Sequence, residues 1–312
     1  MKKLLFGLIT GTALILSACN EDDEIIPASD YVTPDFNMTV ESVVTTDANI
    51  EDVIESASYE VDLFSGTSGA IDETSAVAIE ESDLKAGVRE WFRDRYILGK
   101  APDVRVDWNE GKFPRTITVD YGEETELVNG RIISGIIEIV VSERMMTEGA
   151  TRTVTFTDFS VDSLVINGAI VKEVVSIDEG RVVSIVRDLV VTLPDGTEVE
   201  YLAELERSWN QGLNTPFYHG DDEMEISGFA RCVDSDGNEY RRVITQPLRK
   251  KGGCRFIVSG KVVFSANGLA FAGINYGDGT CDNKGVIRTA KGQKQFIIGK
   301  RVRERVINVL QN

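Results

Sequence analysis

The sequence is poor in the residues that build most catalytic and metal sites. Its 312 residues include one histidine, His219, and four cysteines. A Ser-His-Asp or Cys-His arrangement would have to use that histidine, and no Gly-x-Ser-x-Gly motif supplies a serine nucleophile. A zinc site needs clustered His and Cys ligands, which the chain lacks. The sequence therefore predicts no enzyme, no metal site and no cofactor, although a carboxylate pair for glycoside hydrolysis stays open among the 33 acidic residues after Asp83.

Basic residues are missing from the first part of the chain. Residues 21–83 carry 18 acidic side chains and no Lys or Arg, whereas the chain from Lys85 onward carries 31 basic and 33 acidic ones. The net charge of −18 therefore belongs to the N-terminal segment. Such an acidic segment argues against nucleic acid and against anionic membrane surfaces as partners.

A long apolar run is also absent. Lys2 and Lys3 precede an apolar run of 13 residues, which is followed by small residues. The run is shorter than the roughly 20 residues that span a bilayer, and the pattern is typical of a secretory signal. The segment Leu16-Ser17-Ala18-Cys19 resembles the lipobox of bacterial lipoproteins. The resemblance implies that Cys19 is acylated and becomes the first mature residue; an ordinary signal with an incidental cysteine is the alternative.

Four acidic residues follow Cys19 almost directly. Glu21, Asp22, Asp23 and Glu24 resemble the surface-export signal of Bacteroidota lipoproteins. The resemblance implies an outer-membrane protein that is held by its N-terminal lipid and faces the cell exterior. Each buried acyl CH₂ contributes about 0.8 kcal/mol to such an anchor. The alternative is a solvated tether that its like charges keep extended.

Changes in composition divide the chain into five parts. Two helices are predicted at the start of the folded region, one from Asp47, as its N-cap, to Val61, and one from Ser82 to Ile97, whose apolar stripe docks on the sheet. The predicted parts are a signal peptide at 1–18, an acidic tether at 19–46, a helical region at 47–100, a β domain at 101–299 and a basic tail at 300–312.

The β domain alternates short segments rich in Val, Ile, Thr and Phe with turn residues. Short turns predict a mainly β fold, an antiparallel meander of about thirteen strands. Both faces of the segment 132–141 are partly apolar, so a sandwich-like sheet and an elongated folded-over sheet are both open. The predicted strands are Val104–Trp108, Thr116–Tyr121, Arg131–Ser142, Thr151–Asp162, Leu164–Ile177, Arg181–Leu193, Glu198–Trp209, Glu223–Val233, Glu239–Leu248, Cys254–Ser265, Leu269–Tyr276, Gly285–Ala290 and Lys294–Gly299.

A strand-like motif of Ile or Val, then Ser or Asn, then Gly returns four times, ending at Gly135, Gly168, Gly228 and Gly260. These motif glycines are 33, 60 and 32 residues apart. The spacing predicts one structural unit of about 31 residues, with a degenerate middle copy near Gly196.

Three cysteines remain if Cys19 carries lipid, and an odd number leaves one free thiol. In a meander, Cys232 ends one strand and Cys254 begins the strand two places on, so the two lie at opposite ends of the strand between them. Cys281 instead follows the end of the hairpin partner of the strand that Cys254 begins. We therefore predict a Cys254–Cys281 disulfide, with Cys232 free and buried.

Three motifs resemble those of a group of Bacteroidota lipoproteins of unknown function. They are the segment 113–122, with Phe-Pro at its start and Asp-Tyr-Gly at its end, the glycine-marked segment 130–135, and the loop 276–283, which contains Gly-Asp-Gly-Thr-Cys-Asp-Asn. The resemblance covers residues 102–299 and implies kinship without an assigned activity. Glu123 and Glu124 stand where members of the group often have Gly or Cys, so any bridge at that point is absent.

Few residues stand out as ligand-binding candidates. Four aromatic residues are candidates for stacking on sugar rings, with core packing as the alternative. Two acidic loops, 234–238 and 276–283, cluster oxygens as calcium sites do, but the spacing of the first departs from an EF-hand, and turns are favoured for both. The four aromatic candidates are Trp108, Trp209, Phe217 and Tyr218.

The sequence thus predicts a lipid-anchored cell-surface protein that acts in binding or as a structural component of the envelope. Its expected partners are the membrane, through the lipid, and a glycan or an envelope protein. Two alternatives stay open. One is a glycan-capture lipoprotein of an outer-membrane uptake system, and the other is a carrier that holds lipid along an apolar face of the sheet.

Overall fold

The computed structural model describes residues 30–33, 39–67, 95–97, 100–108, 113–178, 180–213, 221–254, 256–282 and 284–297. In these residues one helix and fourteen strands form. The helix, α1, spans Val40–Thr67. The strands are β1 Asp103–Trp108, β2 Arg115–Asp120, β3 Thr125–Glu126, β4 Ile132–Val141, β5 Thr151–Val161, β6 Leu164–Ser176, β7 Arg181–Thr192, β8 Glu198–Gln211, β9 Glu223–Asp234, β10 Glu239–Lys251, β11 Ile257–Ala266, β12 Leu269–Asp278, β13 Lys284–Thr289 and β14 Gly292–Ile297.

All fourteen strands belong to one antiparallel sheet. Each long strand pairs with the next in the chain, and only the two-residue β3 leaves this path, pairing with β4 beside β2. The predicted mainly β, antiparallel meander is confirmed, and the sheet is a single one rather than a two-sheet sandwich. Strand β3 was not predicted, because two residues carry no alternating pattern.

Helix α1 begins earlier than predicted. It starts at Val40, and Val43 and Val44 extend its buried face toward the N-terminus. The predicted tether therefore ends before residue 40 instead of at 46. Asp47 is not an N-cap but a buried residue inside the helix, 5% exposed. Its carboxylate binds Arg242 of the sheet at 3.2 Å rather than the backbone of the first turn.

Most of the second predicted helix lies outside the described residues. Its predicted end at Ile97 is wrong, because Tyr96 pairs with Leu127 in an isolated β-bridge. Tyr96 also donates a hydrogen bond to Glu60 of α1, which accepts a second one from Tyr121 at 2.8 Å. Tertiary contacts with α1 and with the strand region thus replace the helical continuation.

The sheet curls around α1. Side chains from β7, β8 and β10 meet at one oxygen of α1, Glu51 Oε1, which accepts hydrogen bonds from Arg187 at 2.9 Å, Tyr201 at 2.6 Å and Arg242 at 2.7 Å. Flat strands spaced about 4.8 Å apart would place β7 and β10 about 14 Å apart. The sheet is therefore curved, with its concave face toward α1, and side chains from these strands converge on the helix. Alternate residues bury their side chains on this face; in β7 the apolar ones are Val183, Ile185, Leu189 and Val191.

The motif glycines mark close contacts between neighbouring strands. They lie in β4, β6, β9 and β11, all with positive φ, and an added Cβ would come within 2.1–2.4 Å of a backbone oxygen on a neighbouring strand. Gly135 also lies at a β-bulge, because the pairing of β4 with β5 shifts register between Ser134 and Ile136. Bulges and glycines of this kind let a sheet bend sharply.

The predicted repeat unit, however, is wrong. Gly168 in β6 and Gly228 in β9 are three strands apart, so their strands run in opposite directions and cannot be copies of one translated unit. Gly196, the expected degenerate copy, lies in the turn between β7 and β8 with no atom within 4 Å of an added Cβ.

The predicted disulfide is confirmed. Cys254 follows β10 and Cys281 follows β12, and the two are bonded with a Cα–Cα distance of 5.8 Å. Cys232 is free and buried in β9, as expected from its position two strands away. Burial also raises the pKa of the Cys232 thiol.

Candidate functional site

Four basic side chains lie on the inner face of the four central strands β5 to β8. Arg152 and Lys172 are direct partners across β5 and β6, Arg207 pairs with the inner residue Val183, and Arg181 pairs with Trp209. Asp62 projects from α1 toward the same place, with its carboxylate 2.8 Å from Arg152. We call the group of Asp62, Arg152, Lys172, Arg181, Arg207 and Trp209 the cationic recess.

Solvent reaches the recess from one side. The Asp62 side chain is 62% exposed, yet desolvation by the surrounding protein is the largest influence on its pKa and raises it. The attraction of Arg152, Lys172 and Arg207 outweighs this effect, so that the pKa ends below its usual value. The inner face of the curled sheet is concave, and the exposed Asp62 marks the side on which this part of the face is open to solvent. Ligand sites are typically concave in this way.

Lys172 is the most unusual member of the recess. It is 9% exposed, and its ammonium group has no hydrogen bond or ion pair with any described residue. Burial lowers its pKa to about 7, and the nearby Arg152 guanidinium lowers it as well, whereas Asp62 raises it. Arg207 and Arg187 are further cations that act in the same direction as Arg152. A buried lysine among arginines costs stability unless an anion joins it.

The arginines of the recess also hold unused hydrogen-bond donors. The buried Nε atoms of Arg152, Arg181 and Arg207 find no acceptor among the described residues. Burial lowers the pKa of Arg207, the charge of Asp62 raises it, and the neighbouring arginines lower it further. Buried donors without acceptors are uncommon in native proteins and call for a partner such as an ion or water.

Of the two predicted stacking residues within the described part of the chain, Trp209 joins the recess and Trp108 does not. The Arg181 guanidinium lies 4.1 Å from its ring centroid and that of Arg207 lies 6.0 Å away. The ring therefore holds two arginines in place rather than offering a free face to a sugar. Trp108 ends β1, with five strands between it and β8, and Phe217 and Tyr218 lie outside the described residues.

A second charged cluster lies nearer the N-terminus of α1 and joins the helix to the sheet. Glu51 binds Arg187, Tyr201 and Arg242 in the arrangement described above, and Asp47 binds Arg242. Its acids and arginines are matched, which is the pattern of a structural network. The recess differs from it because its four cations outnumber the two carboxylates that act on them, Asp62 and, at Arg181, Asp222.

The two acidic loops act as turns. Asp234 accepts backbone hydrogen bonds from Asp236 and Asn238, and Asp278 accepts one from Thr280. Asp282 accepts one from the backbone of Lys284. No group of three or more His, Cys, Asp or Glu side chains suited to a metal ion occurs within the described ranges.

Several features predicted from the sequence lie outside the described residues. These are the lipid-attachment residue Cys19, the acidic run at 21–24 and, further along, His219 and the basic tail. In the part of the chain that the structure describes, no helix is long and apolar enough to cross a membrane.

Sequence reasoning missed the recess, although one signal was present. In β6 and β8 the basic residues Lys172 and Arg207 occupy positions in step with the buried apolar ones, such as Ile170, Val174 and Leu205. A cation in line with the apolar face of a strand points inward, since strand side chains alternate. The sequence could not show that four such residues, from four strands, lie beside one another.

We expect the variant Lys172→Met to be more stable than the wild type. Its buried charge is unfavourable, so removing it should raise the free energy of unfolding at pH 6 by at least about 1.4 kcal/mol, the equivalent of one pKa unit. The folded-state pKa of about 7 lies below the unfolded value of 10.5. The cost is therefore fully present below pH 7 and is relieved as the pH rises toward 10.5.

Urea unfolding of both proteins at pH 6 and pH 9 measures this difference. The difference in free energy of unfolding between Lys172→Met and the wild type should be smaller at pH 9 than at pH 6. Lys291→Met, at an exposed turn residue, is the matched control and should change stability little at either pH. A destabilised Lys172→Met would mean that the lysine stabilises the fold.

Comparison with known proteins identifies no relative. No protein-family model matches the chain, and neither a curated protein nor a solved structure matches it. Arguments about function therefore rest on the residues themselves.

Proposed function

We propose that this protein is a lipid-anchored binding protein of the outer membrane, displayed on the cell exterior, that takes its ligand into the concave side of its sheet. The observation that carries the proposal is the cationic recess, where Lys172 and Arg207 are unpaired in surroundings that disfavour their charge. Perturbed titratable groups in a concave site are typical of functional positions. The lipobox-like segment ending at Cys19 and the acidic run behind it support the anchored, outward-facing part of the proposal.

Glycan capture is the second candidate, and the cations of the recess favour it for a glycan that carries negative charge. The Arg181 guanidinium already lies 4.1 Å from the centroid of that ring, so the tryptophan does not offer this face to a neutral sugar. A glycan would have to bind through charged substituents. Glycan capture would therefore use the same cationic recess as its binding site.

Lipid carriage is less well supported. A carrier needs an open apolar face, and the inner face of this sheet is already covered by α1. Ile50, Val53 and Ile54 of the helix are at most 1% exposed, and strand residues of the same hydrophobic core, such as Ile137 and Ile139, are fully buried. An acyl chain would have to displace the helix together with its ion pairs to the sheet.

Protease treatment of intact cells tests the anchored, outward-facing part. We expect the wild type to be cleaved and a variant with alanine at Glu21, Asp22, Asp23 and Glu24 to be protected. A Cys19→Ala variant should leave the membrane fraction, since it cannot be acylated. Protection of the wild type would place the domain in the periplasm and overturn outward display, and membrane retention of Cys19→Ala would overturn lipid anchoring.

A further inference from the structure

We propose that the cationic recess binds the phosphate group of a phosphorylated ligand, such as a sugar phosphate or a glycerophosphate headgroup. The inference deepens the proposed binding function and does not depend on how the protein is anchored. It rests on the charges, the donors and the solvent access of the recess, all within the described residues.

Charge balance selects a doubly charged ligand. Asp62 neutralises Arg152 through their 2.8 Å ion pair, and the buried Asp222 carboxylate favours the charge of Arg181. Lys172 and Arg207 are left without an ion pair to any described residue. A phosphate monoester carries a charge of about −1.5 to −2 at neutral pH and would balance both. A single carboxylate or sulfate ester would leave one of these buried cations unbalanced.

Donor geometry selects a tetrahedral oxyanion. Arg152 and Lys172 are direct cross-strand partners, so their Cβ atoms lie about 5 Å apart, and like charges in this position repel each other. One oxyanion between them turns this repulsion into two attractive contacts. The three ammonium hydrogens of Lys172 and the unused Nε hydrogens of Arg152 and Arg207 need several acceptors. A phosphate supplies three oxygens, arranged for both arginine and lysine.

The surroundings of the recess position its donors before a ligand arrives. Trp209 holds Arg181 by a cation–π contact, and Arg181 also donates a hydrogen bond to the backbone oxygen of Met145 at 3.3 Å. Arg187, the next inner residue of β7 beyond Ile185, is already bound to Glu51. The recess therefore has a fixed wall at Arg181 and Arg187 and free donors between them.

Calorimetric titration of the full-length protein in detergent with inorganic phosphate, glucose 6-phosphate and glycerol 3-phosphate tests the inference. We expect saturable binding, at least 10-fold weaker in Lys172→Met and in Arg207→Gln. The matched controls are Lys291→Met and Arg231→Gln, both at exposed positions outside the recess, and they should bind like the wild type. Preference for glucose 6-phosphate over glycerol 3-phosphate would identify a sugar phosphate as the source, and the reverse would identify a lipid headgroup.

The pH dependence of anion binding distinguishes binding in the recess from non-specific electrostatic attraction to the protein. Lys172 loses its proton as the pH rises through about 7, with Arg152, Arg187 and Arg207 opposing its charge and Asp62 favouring it. Inorganic sulfate keeps its charge of −2 in this range, so its binding should fall steadily from pH 6 to pH 8.5 in the wild type. Lys172→Met should bind sulfate weakly and without this decline.

Binding of phosphate that neither recess variant weakens would identify an adventitious ion only and overturn the inference. The same follows if no ligand binds to protein that thermal unfolding shows to be folded. Either result leaves the outcome of the protease experiment on cells unaffected, so a failure of the recess and a failure of surface display can be told apart.

Discussion

Replacing Glu51 with Gln is expected to lower the free energy of unfolding by about 3–5 kcal/mol, the usual cost of leaving a buried charge without its partner. One oxygen of Glu51 accepts hydrogen bonds from Arg187, Tyr201 and Arg242, on three different strands. The two arginine side chains are 11% and 13% exposed, so water cannot replace the lost carboxylate. The variant would release α1 from the β7 to β10 side of the sheet.

The pKa values of the two acids in this cluster predict opposite results for them. Burial raises the pKa of Glu51, but Arg187 and Arg242 overcome it and bring the pKa to about 2. For Asp47 burial prevails over Arg242, and the pKa rises to about 6. One oxygen of Asp47, Oδ1, also has no hydrogen-bond partner among the described residues. The fold thus requires the charge of Glu51 and tolerates that of Asp47.

Asp47→Asn is therefore the matched control for Glu51→Gln, and its stability at pH 7 should be unchanged or raised. The sign of each effect follows from linkage. Stability from Glu51 is present above its unfolded pKa of 4.5 and is lost as the pH falls toward 2. Stability from protonated Asp47 is present below 3.8 and is lost as the pH rises through about 6.

Urea unfolding at pH 7 and pH 3 measures both effects. The loss in Glu51→Gln should shrink at pH 3, and Asp47→Asn should lose any advantage over the wild type there. Equal losses for the two variants at pH 7 would show that the network has no preference between its acids, which would contradict this account.

Replacing Gly228 with Ala is expected to lower the free energy of unfolding by more than about 4 kcal/mol, a large part of the roughly 5–15 kcal/mol that stabilises an ordinary domain. An added Cβ would lie 2.1 Å from the backbone oxygen of Glu204 and 2.8 Å from the Cα of Leu205. Both atoms belong to β8. This strand is paired along its length with β7 and β9, so it cannot move away from an added methyl group. The φ of 121° at Gly228 adds strain for any residue with a side chain.

The variant Gly237→Ala separates the energetic cost of the contact between strands from that of backbone strain. Gly237 lies in the turn between β9 and β10 with a φ of 81°, and no atom lies within 4 Å of its added Cβ. Its replacement should cost only about 1–2 kcal/mol, the penalty for a left-handed residue. Thermal unfolding monitored by circular dichroism compares the two variants. Similar losses at both positions would mean that the strand contact at Gly228 is not the source of its cost.

The strands were predictable because their signals are local. Alternation of apolar and polar residues, followed by turn residues, located thirteen of the fourteen strands within a few residues of their observed bounds. Strand order then placed Cys254 beside Cys281, because in a meander neighbours in sequence are neighbours in space. Errors arose where the local signal was short or ambiguous, as at the two-residue β3 and at Asp47, whose role as a cap or as a buried partner depends on Arg242.

The sequence by itself determined the strands, their order and the disulfide, since each depends on residues near one another in the chain. Only the tertiary structure decided which glycines bend the sheet, where α1 begins and which charges lie together. Gly135 and Gly228 share a motif, but the clash that requires glycine comes from a neighbouring strand, β5 for Gly135 and β8 for Gly228. Lys172 and Arg207 are 35 residues apart and become neighbours only because β6, β7 and β8 curl around the helix. Curvature is a property of the whole sheet, and so the cationic recess that it forms could not be seen in any single strand.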